Sequence, residues 1–272
     1  AKSMFSFSIY LIIVLIINFF IKKKRYLQSH SGSSHQTLTN SSVPLTGGII
    51  FILPFFLIFY ESFSFFYIIF FILFIIGFLS DTNTLTSPRK RFILQLTLIL
   101  FFIFIKKLEV FPTRIDFIDK YFENTSASYF FTAFCLIILI NGSNFIDGLN
   151  GLLLGYFLII LFILYQGNLI DDLGLTDSNE KYLLILFLFI FLLNLSNQLF
   201  LGDSGAYSIS FFIGFILIYI YNLTNQITPY FIILLLWYPC FENLFSIIRK
   251  IFTKKNPLEP DNEHLHQYLF IF

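Results

Sequence analysis

The chain has 272 residues, of which 57% are hydrophobic and only 12% charged, with 41 Phe and a mean hydropathy of +0.81. Ordinary soluble domains carry about 25% charged residues, so this composition excludes a water-soluble globule and points to an all-α polytopic membrane protein. The net charge of +1 gives no sign of a nucleic-acid partner, and Cys135 and Cys240, both inside apolar runs, give none of a disulfide or a cysteine metal centre.

Nine apolar runs read as candidate membrane spans, at roughly 4–21, 47–60, 64–80, 91–106, 128–142, 151–166, 181–197, 206–222 and 229–248. Several fall short of the about 20 residues that a straight crossing needs. Pro54 and Pro239 lie inside two of them, where a kink is expected. The first run is followed by Lys22, Lys23, Lys24 and Arg25, the reverse of a signal peptide's charge order, so it reads as a retained helix with its N-terminus outside. Strict alternation then puts segments 22–46, 81–91, 143–150, 198–205 and 249–272 on the cytoplasmic side, with 11 of the 17 Lys and Arg. The outside loops 107–127 and 167–180 read as solvated connectors. No repeat or linker divides the chain, which reads as one domain over 1–272.

The unusual polar stretches all lie at the inside ends of runs. They are "SVPLTGG" (42–48), "GFLSDTNTLTSPRKR" (77–91), "NGSNFIDGLNGL" (141–152), "NQLFLGDSG" (197–205), "YPCFENL" (238–244) and "PDNEHLHQ" (260–267). Six clusters on one side of one membrane suggest a shared site, since an acidic group at a membrane-embedded helix end is costly. Taken alone, Asp147, Asn141 and Asn144 read as helix caps, and Asp203 as the N-cap of the run after it. Two Gly-flanked aspartates on one side change that balance, because carboxylate oxygens together with substrate phosphates are what Mg²⁺ takes. Arg89, Lys90 and Arg91 are placed either to neutralise phosphate or only to fix topology. His264 and His266 lack a zinc spacing, and beside a diphosphate they would donate to its oxygens.

In this order the motifs resemble the polyprenyl-phosphate N-acetylhexosamine-1-phosphate transferases, the group that includes MraY, WecA and TagO. "VPLTGGI" resembles that family's P-R-x-G-G segment, "GFLSD" with "SP" and the later Arg and Gln its G-x-x-D-D segment, "NGSNFIDGLNGL" its N-x-x-N-x-x-D-G-x-D-G-L, and "FLGDSG" its F-x-G-D-x-G. "YPCFENL" resembles P-x-x-D, and "PDNEHLHQ" resembles the D-x-x-H-x-H-H ending of the WecA and TagO branch.

The resemblance implies transfer of a sugar-1-phosphate from a UDP-N-acetylhexosamine, or a modified derivative, to undecaprenyl or another polyprenyl phosphate. UMP would be released at the cytoplasmic face of a bacterial inner membrane, as the first step of a cell-envelope glycan. It implies Mg²⁺, with Mn²⁺ as the alternative ion, held by Asp203 and Asp147, and it fits a homodimer. Catalytic roles fall on Asp81, Asp147, Asp203, His264 and His266. Substrate contacts fall on Asn141, Asn144, Gly148, Asn150, Phe200 (stacked on uracil), Arg89, Arg91 and Glu242.

The chain departs from the pattern at several positions. Ser80 stands for the first Asp of the pair, Asn150 for the second Asp of D-G-x-D-G, Leu45 for an Arg, Glu242 for an Asp and Gln267 for a third His. The family's last helices have no counterpart before Phe272. These changes motivate an alternative of a different class, a catalytically silent homologue that binds lipid phosphate or partner proteins. A transporter is the third reading, and the nearly unbroken Phe, Ile and Leu of the run interiors speaks against it.

Overall fold

The computed structural model describes residues 2–24, 26–27, 43–59, 64–170, 177–224, 226–254 and 265. Its helices are α1 (Lys2–Lys24), α2 (Gly47–Phe59), α3 (Ser64–Asp81), α4 (Pro88–Lys106), α5 (Asp116–Phe122), α6 (Thr125–Ile146), α7 (Leu152–Gln166), α8 (Asp177–Leu195), α9 (Gly202–Leu223) and α10 (Pro229–Phe252). Each apolar run falls on a helix. The short α5 was not expected and sits in the loop read as a connector. Among the described residues, α6, α9 and α10 are long and apolar enough to cross a membrane, and Phe66–Asp81 and Leu152–Gln166 are shorter apolar stretches. The molecule is thus an all-helical membrane protein with three clear spans and further apolar helices beside them.

Local chemistry starts several helices. Ser87 caps α4 by accepting from the Lys90 amide, and Pro88 fills the first helical position, where a missing N–H costs nothing. Thr228 and Pro229 do the same for α10, with Phe231 as the donor, and Asn124 accepts from Ser126 at the start of α6. Helix α9 has no such cap: Leu201 stands at its N-cap position and offers no side-chain acceptor.

That helix is the axis of the fold. Most of α9 is buried, and α3, α6 and α2 pack around it. Helix association within lipid gains little from the hydrophobic effect and rests on packing, and here the packing is aromatic. Phe55 stacks on Phe70 at 4.4 Å, Phe66 on Phe215 at 4.5 Å, and Phe55 meets Phe212 edge-on at 4.6 Å. Such pairs add about 0.5–1.5 kcal/mol each beyond their area. Large apolar side chains face outward instead on α1 (Ile12, Ile16, Phe19) and α10 (Ile233, Leu234, Trp237), as a lipid-facing surface requires.

Hydrogen bonds and an ion pair between segments far apart in sequence bring the polar segments together at one end. Lys22, Thr46, Asp81, Arg91, Asp147, Gly151, Asn194 and Asp203 all belong to that end, as the bonds below show. At the opposite end the chain after α4 is tied to α6, α9 and α10. Thr132 Oγ1 accepts from the Val110 amide, Tyr221 donates to the Pro112 carbonyl, Asn222 to that of Glu109 and Tyr230 to that of Arg114.

Candidate functional site

The site is built on the uncapped start of α9. A helix N-terminus presents unpaired amides and a partial positive charge. Here carboxylates from distant segments supply the acceptors. Asp81, the last residue of α3, takes the Asp203 amide on Oδ1 at 2.8 Å and the Ser204 amide on Oδ2 at 3.1 Å. Asp147, in the turn after α6, accepts from the Gly202 amide. Burial, reinforced by the neighbouring carboxylates of Asp203 and Asp81, pushes the Asp147 carboxyl well above the ordinary carboxylate range. Two segments far apart in sequence are thereby fastened to one helix end. The close approach of α3 depends on Gly77, where a methyl group would collide with the backbone of Asp203 and Ser204.

Asp203 itself does not cap the helix. Its Oδ2 gathers donors: Arg91 Nη1 at 2.5 Å, Ser80 Oγ at 2.6 Å and Tyr207 OH at 3.3 Å. Arg91 also donates to Ser80 Oγ, so Ser80 relays between the guanidinium and the carboxylate. No group among the described residues bonds Asp203 Oδ1. Arg91 and Asp203 remain partly open, at 21% and 24% side-chain exposure, whereas Arg89 is exposed. Of the two arginines named from the sequence, the structure brings Arg91 to Asp203.

The "VPLTGG" segment lies against the "FLGD" segment as a short backbone ladder. Leu45 and Phe200 form an isolated parallel bridge, Phe200 donates its amide to the Pro44 carbonyl, and Gly47 and Gly48 donate to Phe200 and Leu201. Phe200 is 1% exposed and packs with Val43 and Leu45, so in this conformation its ring is covered. Helix α1 braces the ladder from behind: Thr46 Oγ1 donates to Asn18 Oδ1 at 2.6 Å, Asn18 Nδ2 to the Gln198 carbonyl, and Lys22 Nζ to the Asn197 carbonyl.

Two residues that sequence reading passed over complete the frame. Asn194, buried near the end of α8, accepts the Gly151 amide on Oδ1 at 2.6 Å and donates from Nδ2 to the Leu199 carbonyl at 3.1 Å. It therefore clamps the 147–151 turn to the segment leading into Asp203. Its signal was an amide side chain in an otherwise apolar run. Tyr207 was missed although it lies four residues after Asp203, one helical turn on the same face.

The other expected residues are placed as follows. Asn150 donates to Asn197 Oδ1. Asn141 donates to the Ile137 carbonyl at 2.9 Å and more weakly to Gln95 Oε1 at 3.4 Å. Asn144 is half-buried in the last turns of α6, and Gly148 is buried in the turn that follows. Glu242 is buried on α10, which crosses α6 closely where Gly142 faces the Pro239 carbonyl with no room for a side chain. His264 and His266 lie outside the described residues. Leu265 between them is described, and its amide donates to Glu242 Oε1 at 3.0 Å.

Among the described residues no three His, Cys, Asp or Glu side chains form a ready ion cage. The donor chemistry nevertheless fits a hard divalent cation of the kind completed by substrate phosphates. Asp203 offers an unbonded carboxylate oxygen at a half-open position, with the Asp147 carboxylate near enough to act on it electrostatically.

Comparison with known proteins places this arrangement. The family described as glycosyl transferase family 4 matches residues 63–221, more than half of the chain. A probable undecaprenyl-phosphate N-acetylglucosaminyl 1-phosphate transferase of Bacillus subtilis is 28% identical over 200 residues, covering 72% of this chain and 55% of that protein. A phospho-N-acetylmuramoyl-pentapeptide-transferase of Dictyoglomus turgidum is 28% identical over 225 residues, covering 78% and 71%. An undecaprenyl-phosphate alpha-N-acetylglucosaminyl 1-phosphate transferase of Thermotoga maritima is 28% identical over 129 residues, covering 47% and 38%. The match thus spans little more than half the length of the Bacillus relative. The matched residues include α3, α4, α6 and the start of α9, the elements that carry Ser80, Asp81, Arg91, Asp147 and Asp203, and the chain belongs to glycosyl transferase family 4.

Proposed function

We propose that the protein transfers a sugar-1-phosphate from a UDP-N-acetylhexosamine to a polyprenyl phosphate at the cytoplasmic face of the membrane, releasing UMP. The observation that carries this reading is the convergence of Asp203, Ser80, Arg91, Asp81 and Asp147 at the buried start of α9 in a member of this family. In the reaction an oxygen of the lipid phosphate forms a bond to the sugar-linked phosphorus. The bond from that phosphorus to the bridging oxygen breaks, and UMP leaves with that oxygen. A phosphate monoester with a second pKa of about 6 is mostly dianionic at neutral pH, so no proton need be removed first.

The task is then to bring two anions together, which demands neutralisation and alignment. Arg91 is the protein's fixed positive charge at the site, and it holds Asp203 in one orientation. Asp81 and Asp147 keep the start of α9 in register with α3 and α6. Asp203, with Asp147 beside it, is the proposed anchor of Mg²⁺. When bound, that ion neutralises diphosphate oxygens. His264 and His266 are proposed to donate to phosphate, and Asn144 and Gly148 to receive the nucleotide; the ring of Phe200, covered in this conformation, would have to swing out to join them. The relatives' names support a polyprenyl phosphate acceptor, and an acceptor with a long isoprenoid tail requires a site at the bilayer surface.

The alternative of a silent homologue rests on Ser80, Asn150 and the absent last helices, and of these the structure bears on Ser80. Its hydroxyl is bonded into the Asp203 and Arg91 cluster, so the exchange leaves the site connected, which favours the enzyme. The test is incorporation of label from UDP-[14C]N-acetylglucosamine, and from its N-acetylgalactosamine counterpart, into a butanol-extractable lipid in vesicles containing undecaprenyl phosphate. Labelled lipid that forms only with the acceptor present supports transfer. Its absence across a panel of UDP-sugars, from folded protein, favours the silent homologue.

A further inference from the structure

Resting on that reading, we infer that Arg91 is an internal counter-cation for Asp203, so that this chain takes up a divalent cation only together with a diphosphate. The donors on Asp203 are one-sided. Arg91, Ser80 and Tyr207 all converge on Oδ2, and no group among the described residues bonds Oδ1. The neighbouring carboxylates are each engaged with a backbone amide. Asp81 spends one oxygen on the Asp203 amide and the other on the Ser204 amide. Asp147 is 5% exposed and takes the Gly202 amide.

The oxygen of Asp203 open to an incoming ion belongs to a carboxylate whose charge is offset by a guanidinium 2.5 Å away, with the amide-bonded Asp147 beside it. Mg²⁺ and its analogues give up hydration water reluctantly and do so for several anionic oxygens at once. The open oxygen of an ion-paired carboxylate and one buried, amide-bonded neighbour do not meet that demand. A diphosphate does, because it brings its own oxygens to the ion and offers Arg91 a second anion.

Ser80 makes the pairing exclusive. It accepts from Arg91 and donates to Asp203 without adding charge. A carboxylate at that position would give Arg91 a competing partner and add anionic oxygens beside Asp203. Ser80 and Arg91 are therefore positioning residues for the ion, distinct from groups that touch the reacting atoms.

The test is a Mn²⁺ titration followed by electron paramagnetic resonance on the purified chain in detergent, without nucleotide and then with UDP. The wild type is expected to bind Mn²⁺ more than about tenfold more tightly with UDP than without. Ser80→Asp and Arg91→Ala are each expected to bind Mn²⁺ without UDP about tenfold more tightly than the wild type. Arg91→Lys, which keeps the charge, should behave as the wild type does. Equal Mn²⁺ affinity with and without UDP in a wild type that binds UDP overturns the inference, as does wild-type weakness in both Ser80→Asp and Arg91→Ala. If UDP does not bind under any condition, measured separately by calorimetry, the transferase reading itself fails and coupled uptake fails with it.

Discussion

Asp81 Oδ1 and Oδ2 accept the backbone amides of Asp203 and Ser204, at 2.8 and 3.1 Å, so the last residue of α3 serves as the missing cap of α9. The motif that ends one helix thereby fixes where the next motif begins. Asp81→Asn leaves one acceptor for two amides and points an NH₂ group at a donor. A hydrogen bond to a charged group is worth about 1.5–3 kcal/mol, and a loss of that order is expected in thermal unfolding of the purified chain. An Asp81→Asn protein that unfolds as the wild type does would show that the cap is dispensable.

Asn194 should behave as a clamp. Asn194→Leu keeps the branched shape but strands the Gly151 amide and the Leu199 carbonyl, each a buried group whose loss of a partner costs about 1–3 kcal/mol. Asn194→Asp keeps an acceptor for Gly151 but sets a buried carboxylate against the Leu199 carbonyl. Both variants are expected to be less stable than the wild type, with a higher KM for the UDP-sugar. A KM unchanged in Asn194→Leu would separate the 147–151 turn from nucleotide binding.

Gly77→Ala sets two rules against each other. Inside a helix Ala is favoured over Gly by about 1 kcal/mol. At Gly77 the added methyl meets the backbone of Asp203 and Ser204, which cannot move aside as a flexible side chain would. The expected outcome is lower thermal stability and loss of transfer together. A stabilised Gly77→Ala variant would contradict the close packing of α3 on α9.

The far end of the bundle carries a pH-sensitive latch at Asp119. Desolvation is the largest single influence on this half-buried carboxyl and acts upward, but bonds from the Thr113 hydroxyl and the Thr113, Arg114 and Ile115 amides together outweigh it and hold the pKa below its ordinary value. A depressed folded pKa means that the stabilisation is complete above the unfolded value of about 3.9 and is lost as pH falls through the folded one. Thermal stability of the wild type relative to Asp119→Asn should therefore be flat at neutral pH and converge only below about pH 4. A difference that changes between pH 6 and 8 would point to another group.

Much of the site was legible because its residue types are expensive where they stand. Asp147, Asp203 and the "TSPRKR" run attract notice in a chain that is otherwise Phe, Ile and Leu, and alternation alone sends them to one end. The sequence could not choose between Arg89 and Arg91. That choice depends on helical phase: Arg91 lies on the face of α4 that meets Asp203, and Arg89 lies off it. Nor could it show that α9 borrows its caps. Local pattern reads Asp203 as an N-cap, and only the packing of α3 and α6 reveals that Asp81 and Asp147 do that work. Asn194 and Asn18 were hidden for the same reason, since each bonds backbone or side chains far away in sequence. Helix α5 escaped because seven mixed residues carry too little periodicity to register.

The central claim is that the cluster at the start of α9 binds the diphosphate of a UDP-sugar and drives its transfer to lipid phosphate. The most direct measurement is UMP release by the purified chain from UDP-N-acetylhexosamines with undecaprenyl phosphate, in Mg²⁺ and in EDTA, for the wild type and Asp203→Ala. Release that requires Mg²⁺ and the lipid acceptor and disappears in a folded Asp203→Ala protein is the expected result. Release that survives Asp203→Ala, or that ignores EDTA, would contradict it.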